Sequence, residues 1–213
     1  MKPNMMRIRI TFAKTEAMRY TSHLDLHRTW ERTFRRAQLP VTHSQGFNKR
    51  PKLNLAAALP LGFTSQFEMA EVWLDQDQPL DKIETCLRKA LPPGIEIKTV
   101  EDIDPQTPKI PNLVDSAIYL ATLLEPISDL GTRVEELLAQ DKIQRKRRGK
   151  QYDLRPLIED LRLADTEVGI QQIWMHLAAR GGATGRPEEV LLALGIDPFR
   201  TRVQRLELLL RSD

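Results

Sequence analysis

The chain has 213 residues, 41% hydrophobic and 29% charged, with a formal net charge of +3. That length suits one large domain or two of about 100 residues each, with a core that needs no disulfides. Cys86 is the single cysteine, which excludes an intramolecular disulfide framework, a Cys-only zinc site and an iron–sulfur cluster held by this chain alone. No run approaches the ~18 consecutive apolar residues of a transmembrane helix. The start, MKPNMMRIRITF, lacks the apolar stretch and small-residue cleavage site of a secretory signal. The expected location is the cytoplasm, with no membrane partner.

The elements follow in chain order. Met6 to Phe12 alternates apolar and polar residues, the pattern of a half-buried strand. Ser22 to Leu39 has helical spacing, with Leu26, Trp30, Phe34 and Ala37 on one stripe. Ser22 and Asp25 form a capping-box-like start, and Pro40 ends the helix. Residues 44–52 (SQGFNKRPK) are a polar loop. Short extended segments are expected at Leu53–Ala57 and Glu68–Leu74, a helix from Pro79 through Ala90, and a strand at Ile95–Val100. This is a β-α-β-β-α-β order, the ferredoxin-like pattern. Asp104 to Pro111 carries three prolines in eight residues and reads as a linker.

A similar order is expected beyond it. The elements are a strand at Ala117–Leu124, a helix at Leu130–Gln140, and a charged strand at Lys142–Arg147 with a turn at Arg148–Gly149. Leu154–Leu163 reads as a short helix or an extended insertion. A strand follows at Ile170–Ala178, then a glycine loop, a helix opened by Pro187, and a last strand at Val203–Leu210. The fold class is therefore α+β: two tandem ferredoxin-like (βαββαβ) units, 1–104 and 112–213, the second decorated.

Charge is uneven along the chain. Residues 1–60 hold 12 Lys and Arg against three acids; residues 61–104 hold 4 against 10. Such clustering points to a polyanionic partner. On the first helix, Arg28, Arg32, Arg35 and Arg36 lie opposite the apolar stripe, and the following loop adds Gln45, Asn48, Lys49, Arg50 and Lys52. Guanidinium groups fork onto phosphate oxygens, amides can read base edges, and Phe47 could stack on a base. The alternatives are a protein partner or a solvated face. A second cluster, Lys142, Arg145, Lys146, Arg147, Arg148 and Lys150, could follow a phosphate backbone or protect an exposed strand edge.

His23, Asp25 and His27 form the unusual sequence HLDLH. On a helix the two histidines share a face, but no third metal ligand is evident and the H-E-x-x-H glutamate is missing. Asp25 also suits the role of capping acid, and the histidines flank the apolar stripe. The glycines at 181, 182 and 185 match no phosphate-binding fingerprint. No catalytic residue, metal site or cofactor is assigned.

Arg19, Ser22 to Arg28, Arg36-Ala37, Pro40, Ser44 to Asn48, Arg50 to Leu53 and Ala58 to Gly62 together resemble the signature of the DUF2344, or radical-SAM-associated, family. Tyr152 to Ile158 and Arg186 to Gly195 resemble its later motifs. The family pattern often has proline where this chain has Lys49. The resemblance implies an accessory subunit of a radical SAM enzyme, with the iron–sulfur cluster on that partner, and RNA (tRNA or rRNA) is the expected substrate. Two ferredoxin-like units in tandem also resemble pseudouridine synthases. Asp25 lacks the arginine–threonine context of their catalytic aspartate, so catalysis is not carried over. The competing expectations are an RNA-modifying enzyme and a pure protein-docking subunit.

Overall fold

The computed structural model describes residues 5–164 and 169–211. The protein is α+β, and it divides into two compact units, Met1–Leu113 and Val114–Asp213.

The first unit runs β1 (Met6–Lys14), α1 (His23–Arg36), β2 (Leu53–Leu55), β3 (Thr64–Leu74), α2 (Leu80–Ala90), β4 (Ile95–Asp102) and a single turn, α3 (Ile110–Leu113). Its strands lie in the order β4-β1-β3-β2, every neighbouring pair antiparallel. The apolar face of β1 is core as read, but the strand is not half-buried: Arg7 and Thr11 on its other face are buried as well, and so is Lys14 at its end. Ile8, Ile10 and Phe12 are buried with Leu26, Trp30 and Phe34 of α1 and Ile83 and Leu87 of α2. Phe12 meets Trp30 edge-on at 4.9 Å between centroids, and Trp30 stacks with Phe34 at 5.4 Å.

Helix α1 is shorter than the Ser22–Leu39 expected. Ser22 is its N-cap: its hydroxyl accepts from the Asp25 N–H at 3.2 Å. At the other end Gln38 takes a left-handed φ of 54°. The N–H groups of Gln38 and Leu39 return to the carbonyls of Arg35 and Phe34, a Schellman stop that ends the helix before Pro40. Gly94 lies in the turn between α2 and β4. Its φ is +94°, and a Cβ there would lie 2.5 Å from Met18 Cγ.

The opposite face of the sheet is polar. Glu71 is fully buried; its carboxylate accepts from Arg7 Nη2 at 2.5 Å, Arg9 Nη2 at 2.9 Å and the Ile110 N–H at 3.0 Å. Arg7 also donates to the carbonyls of Thr107 and Pro108. The proline-rich segment 104–111, expected as a linker, is therefore fastened across the first unit's own sheet.

The second unit runs β5 (Val114–Leu123), α4 (Leu130–Leu138), β6 (Gln144–Arg147), β7 (Lys150–Asp153), β8 (Ile158–Leu163), β9 (Gln172–Arg180), β10 (Ala183–Thr184), α5 (Pro187–Ala193) and β11 (Thr201–Leu210). β9 pairs with β5, and β5 with β11. β8 and the short β10 both pair with β9; every pair is antiparallel. Leu154–Leu163, left open between helix and extended chain, is a one-turn 3-10 helix at Arg155–Leu157 followed by β8. The charged strand at Lys142–Arg147 does not join this sheet. Among the described residues it pairs only with β7, in a separate hairpin. Gln-Arg-Lys-Arg offers no apolar face to bury, whereas β8 buries Ile158 and Leu161.

Removing a carboxylate that answers one buried and one partly buried cation leaves those charges uncompensated. Glu71→Ala should lower the stability of the first unit by about 3–5 kcal/mol in urea unfolding, and Glu71→Gln by less, because the amide oxygen can still accept.

Candidate nucleic-acid interface

Burying Leu26, Trp30, Thr33 and Phe34 turns the other face of α1 to solvent, so Arg28, Arg32, Arg35 and Arg36 are all exposed. The loop after the helix is closed at its neck. The Ser44 N–H donates to the Arg50 carbonyl at 2.8 Å, and the Arg50 N–H to the Ser44 hydroxyl at 3.1 Å. His43 bridges to Pro51, and Lys52 N–H reaches the Thr42 carbonyl. This neck holds the loop beside α1. Arg28, Arg32 and Arg35 share a groove of about 740 Å³ with Gln38, His43 and Pro51. Next to it, a recess of about 330 Å³ joins Leu24, His27 and Arg28 to Lys49, Arg50 and Pro51.

Glu31 lines both. It faces His27, whose Nδ1 lies 3.2 Å from its carboxylate. Arg28 contacts Asp25 at 3.2 Å, a pair open to water and correspondingly weak. Among the described residues Arg32, Arg35, Lys49 and Arg50 have no carboxylate within 4.0 Å. Lys52 lies outside these two grooves and lines a third cavity with Arg50. Gln45 and Asn48 are exposed at the loop tip with Phe47 and line none of the three.

Within the HLDLH segment, Asp25 takes part in the start of the helix. Asp25 accepts from the Ser22 hydroxyl at 2.7 Å and faces Arg28, while its own N–H completes the cap. Among the described residues no three His, Cys, Asp or Glu side chains group as a metal would require.

In the second unit, strand alternation divides the basic cluster. Arg145 sits opposite Tyr152 and Arg147 opposite Lys150, while Lys146 pairs with Gln151 on the other face. Arg145 is held by Glu189 at 2.9 Å. Arg147, Arg148 and Lys150 line a cavity of about 590 Å³ with Tyr152, Thr184 and Arg186. Burial, followed by the negative charge of Glu189, pushes the Tyr152 phenol up, so it is a neutral hydroxyl at physiological pH. Gly185 gives this corner its close approach: a Cβ there would lie 2.7 Å from the Leu157 carbonyl oxygen. The sequence reading assigned neither Tyr152 nor Arg186 to a site. Their presence in the segments YDLRPLI and RPEEV was the available signal.

The sequence matches the model of the family DUF2344, described as an uncharacterized protein conserved in bacteria, over residues 7–187. The chain belongs to the DUF2344 family. A solved structure described as an unknown protein from Galdieria sulphuraria is 15% identical to this DUF2344 chain. It matches over 98% of this chain and 100% of its own, with a TM-score of 0.30. No curated protein matches at a significant level. Among the described residues no helix is long and apolar enough to cross a membrane.

Glu188 lies beside this second basic cavity, and burial raises its carboxyl above the ordinary 4.5, although Arg186 and Arg147 oppose the shift. Ionised Glu188 therefore destabilises the fold above the raised value, and the penalty disappears as pH falls below the ordinary carboxylate range. Glu188→Gln should stabilise the protein at pH 7–8 and lose that advantage near pH 4, as read by thermal melts across pH.

Proposed function

We propose that this DUF2344 protein is a cytoplasmic, non-catalytic accessory subunit that presents RNA to a radical SAM enzyme. The observation that carries the RNA part is the groove on α1. Three arginines one turn apart share it with the neck of the 44–50 loop, and Arg28 is also joined to Lys49 and Arg50 in the adjoining recess. Most of these cations lack a carboxylate partner among the described residues, which supports their availability to phosphate. Arg147, Arg148 and Lys150, with Arg186, supply a second contact of the same chemistry.

The radical SAM partner rests on the family resemblance. With Cys86 as the single thiol, any cluster would be held by that partner. The two units are read as ferredoxin-like. Support comes from the strand order β4-β1-β3-β2 in the first and the run β11-β5-β9-β8 in the second, with the β6–β7 hairpin as its decoration. An enzymatic role for Asp25 is disfavoured, since its carboxylate is engaged by Ser22 and Arg28 in capping.

Fluorescence anisotropy with labelled single-stranded RNA and with tRNA tests this reading across a salt series. Affinity should fall linearly with salt on a log–log plot. Arg35→Ala and Arg50→Ala should each weaken binding several-fold for all sequences and reduce the slope by about one. Unchanged affinity in both variants would remove RNA from the proposal. Capture of a radical SAM protein that resists ribonuclease, with no RNA bound, would make the basic face a docking surface instead.

A further inference from the structure

We propose that the cavity bordered by Trp73 is a binding site for a single unpaired nucleobase, with its phosphate held at the cationic rim. The inference rests on the RNA reading for the source of the base and deepens it.

The cavity measures about 640 Å³, within the range of small-ligand sites. It lies over the polar face of the first unit's sheet, between segment 50–54, which leads into β2, and the fastened segment 105–109. Its chemistry is that of a nucleotide. Among the described residues Trp73 provides the one aromatic ring, Asn54 an amide and Ser44 a hydroxyl; Arg50, Lys52 and Lys109 provide positive charge, and no described carboxylate lines it. Indole rings stack on any base, and an amide offers both a donor and an acceptor to a base edge. Anionic groups are favoured at a rim with three cations and no acid among the described residues.

The ring is held in place from within. The Arg7 guanidinium lies 5.0 Å from the Trp73 centroid, and Arg7 is itself fixed by Glu71 and by the carbonyls of Thr107 and Pro108. A stacking platform set before binding loses little entropy on capture. Trp73 is also anchored through its backbone: its N–H donates to the Lys52 carbonyl and its carbonyl accepts from Thr42.

Arg50 connects this cavity to the phosphate surface. It lines the Trp73 cavity and also the recess with Arg28 and Lys49. A strand whose phosphates run along α1 would reach Arg50 and could turn one base in toward Trp73. Recognition of single-stranded RNA commonly takes this form, a splayed base on an aromatic side chain.

The test uses indole fluorescence and oligonucleotide affinity with the full chain. Adenosine 5′-monophosphate should quench emission, ribose 5-phosphate should not, and Trp73→Phe should abolish the quench while keeping an apolar ring. An adenosine hexamer should bind about 10-fold more weakly to Trp73→Leu and several-fold more weakly to Asn54→Ala, with an unchanged salt slope, since neither change removes a phosphate contact. If Trp73→Leu does not fold, the Asn54→Ala and Trp73→Phe measurements decide. A quench that persists in Trp73→Phe, or one produced equally by ribose 5-phosphate, overturns the proposal. So does hexamer affinity that ignores Trp73 and Asn54 but falls with Arg35→Ala; in that case the RNA reading stands without the base site. Quenching by the monophosphate with no hexamer binding would overturn the RNA source and leave a free-nucleotide site.

Discussion

The first unit is organised around one buried carboxylate. Glu71 sits on β3, where strand alternation directs it away from α1 and α2, yet it is fully buried. A charge in that position needs close partners, and Arg7, Arg9 and the Ile110 N–H supply them. Arg7 and Arg9 come from the neighbouring strand, in register opposite Trp73 and Glu71. Ile110 comes from the far side of the proline-rich segment. The same set of bonds thus neutralises Glu71, covers part of the sheet, fixes Trp73 and shapes the cavity beside it. Replacing the whole cluster with apolar residues need not cost stability. It would cost the placement of segment 104–111.

Local features were legible because their causes are local. The start of α1 follows from Ser22 and Asp25, its buried stripe from Leu26, Trp30 and Phe34, and its basic face from what remains. The alternation of β1 likewise announced Ile8, Ile10 and Phe12 as core and Arg7 and Arg9 as the opposite face. What stayed hidden depends on distant partners. Nothing in Arg7, Arg9 and Glu71 as separate letters shows that they form one cluster spanning 64 positions of chain. Prolines 105, 108 and 111 resemble those of a free linker, because the carbonyls and N–H that fasten the segment belong to every sequence.

The basic hairpin shows the same limit from another side. Six cations in nine residues read as one continuous row. Once the segment is a two-stranded hairpin, alternation sends Lys146 to the face opposite Arg145 and Arg147, and Glu189, 44 residues away, claims Arg145. The surviving cations gain Arg186 instead, which comes from the residue capping α5. Charge density in sequence therefore overstated this surface in one respect and understated it in another.

The two candidate surfaces differ in how their charge is constrained. On α1 the arginines project from a rigid helix and line a groove, but the side chains themselves are exposed and adaptable. At Trp73 the ring is set by backbone pairing and by a buried guanidinium, and the cations Arg50, Lys52 and Lys109 around it are exposed. An adaptable cationic groove suits a repeating phosphate backbone, where register matters little. A fixed ring suits one planar group at a defined place. Arg50, at the neck of the loop and shared by both, is where a sequence-blind grip could be converted into a choice of position along the strand.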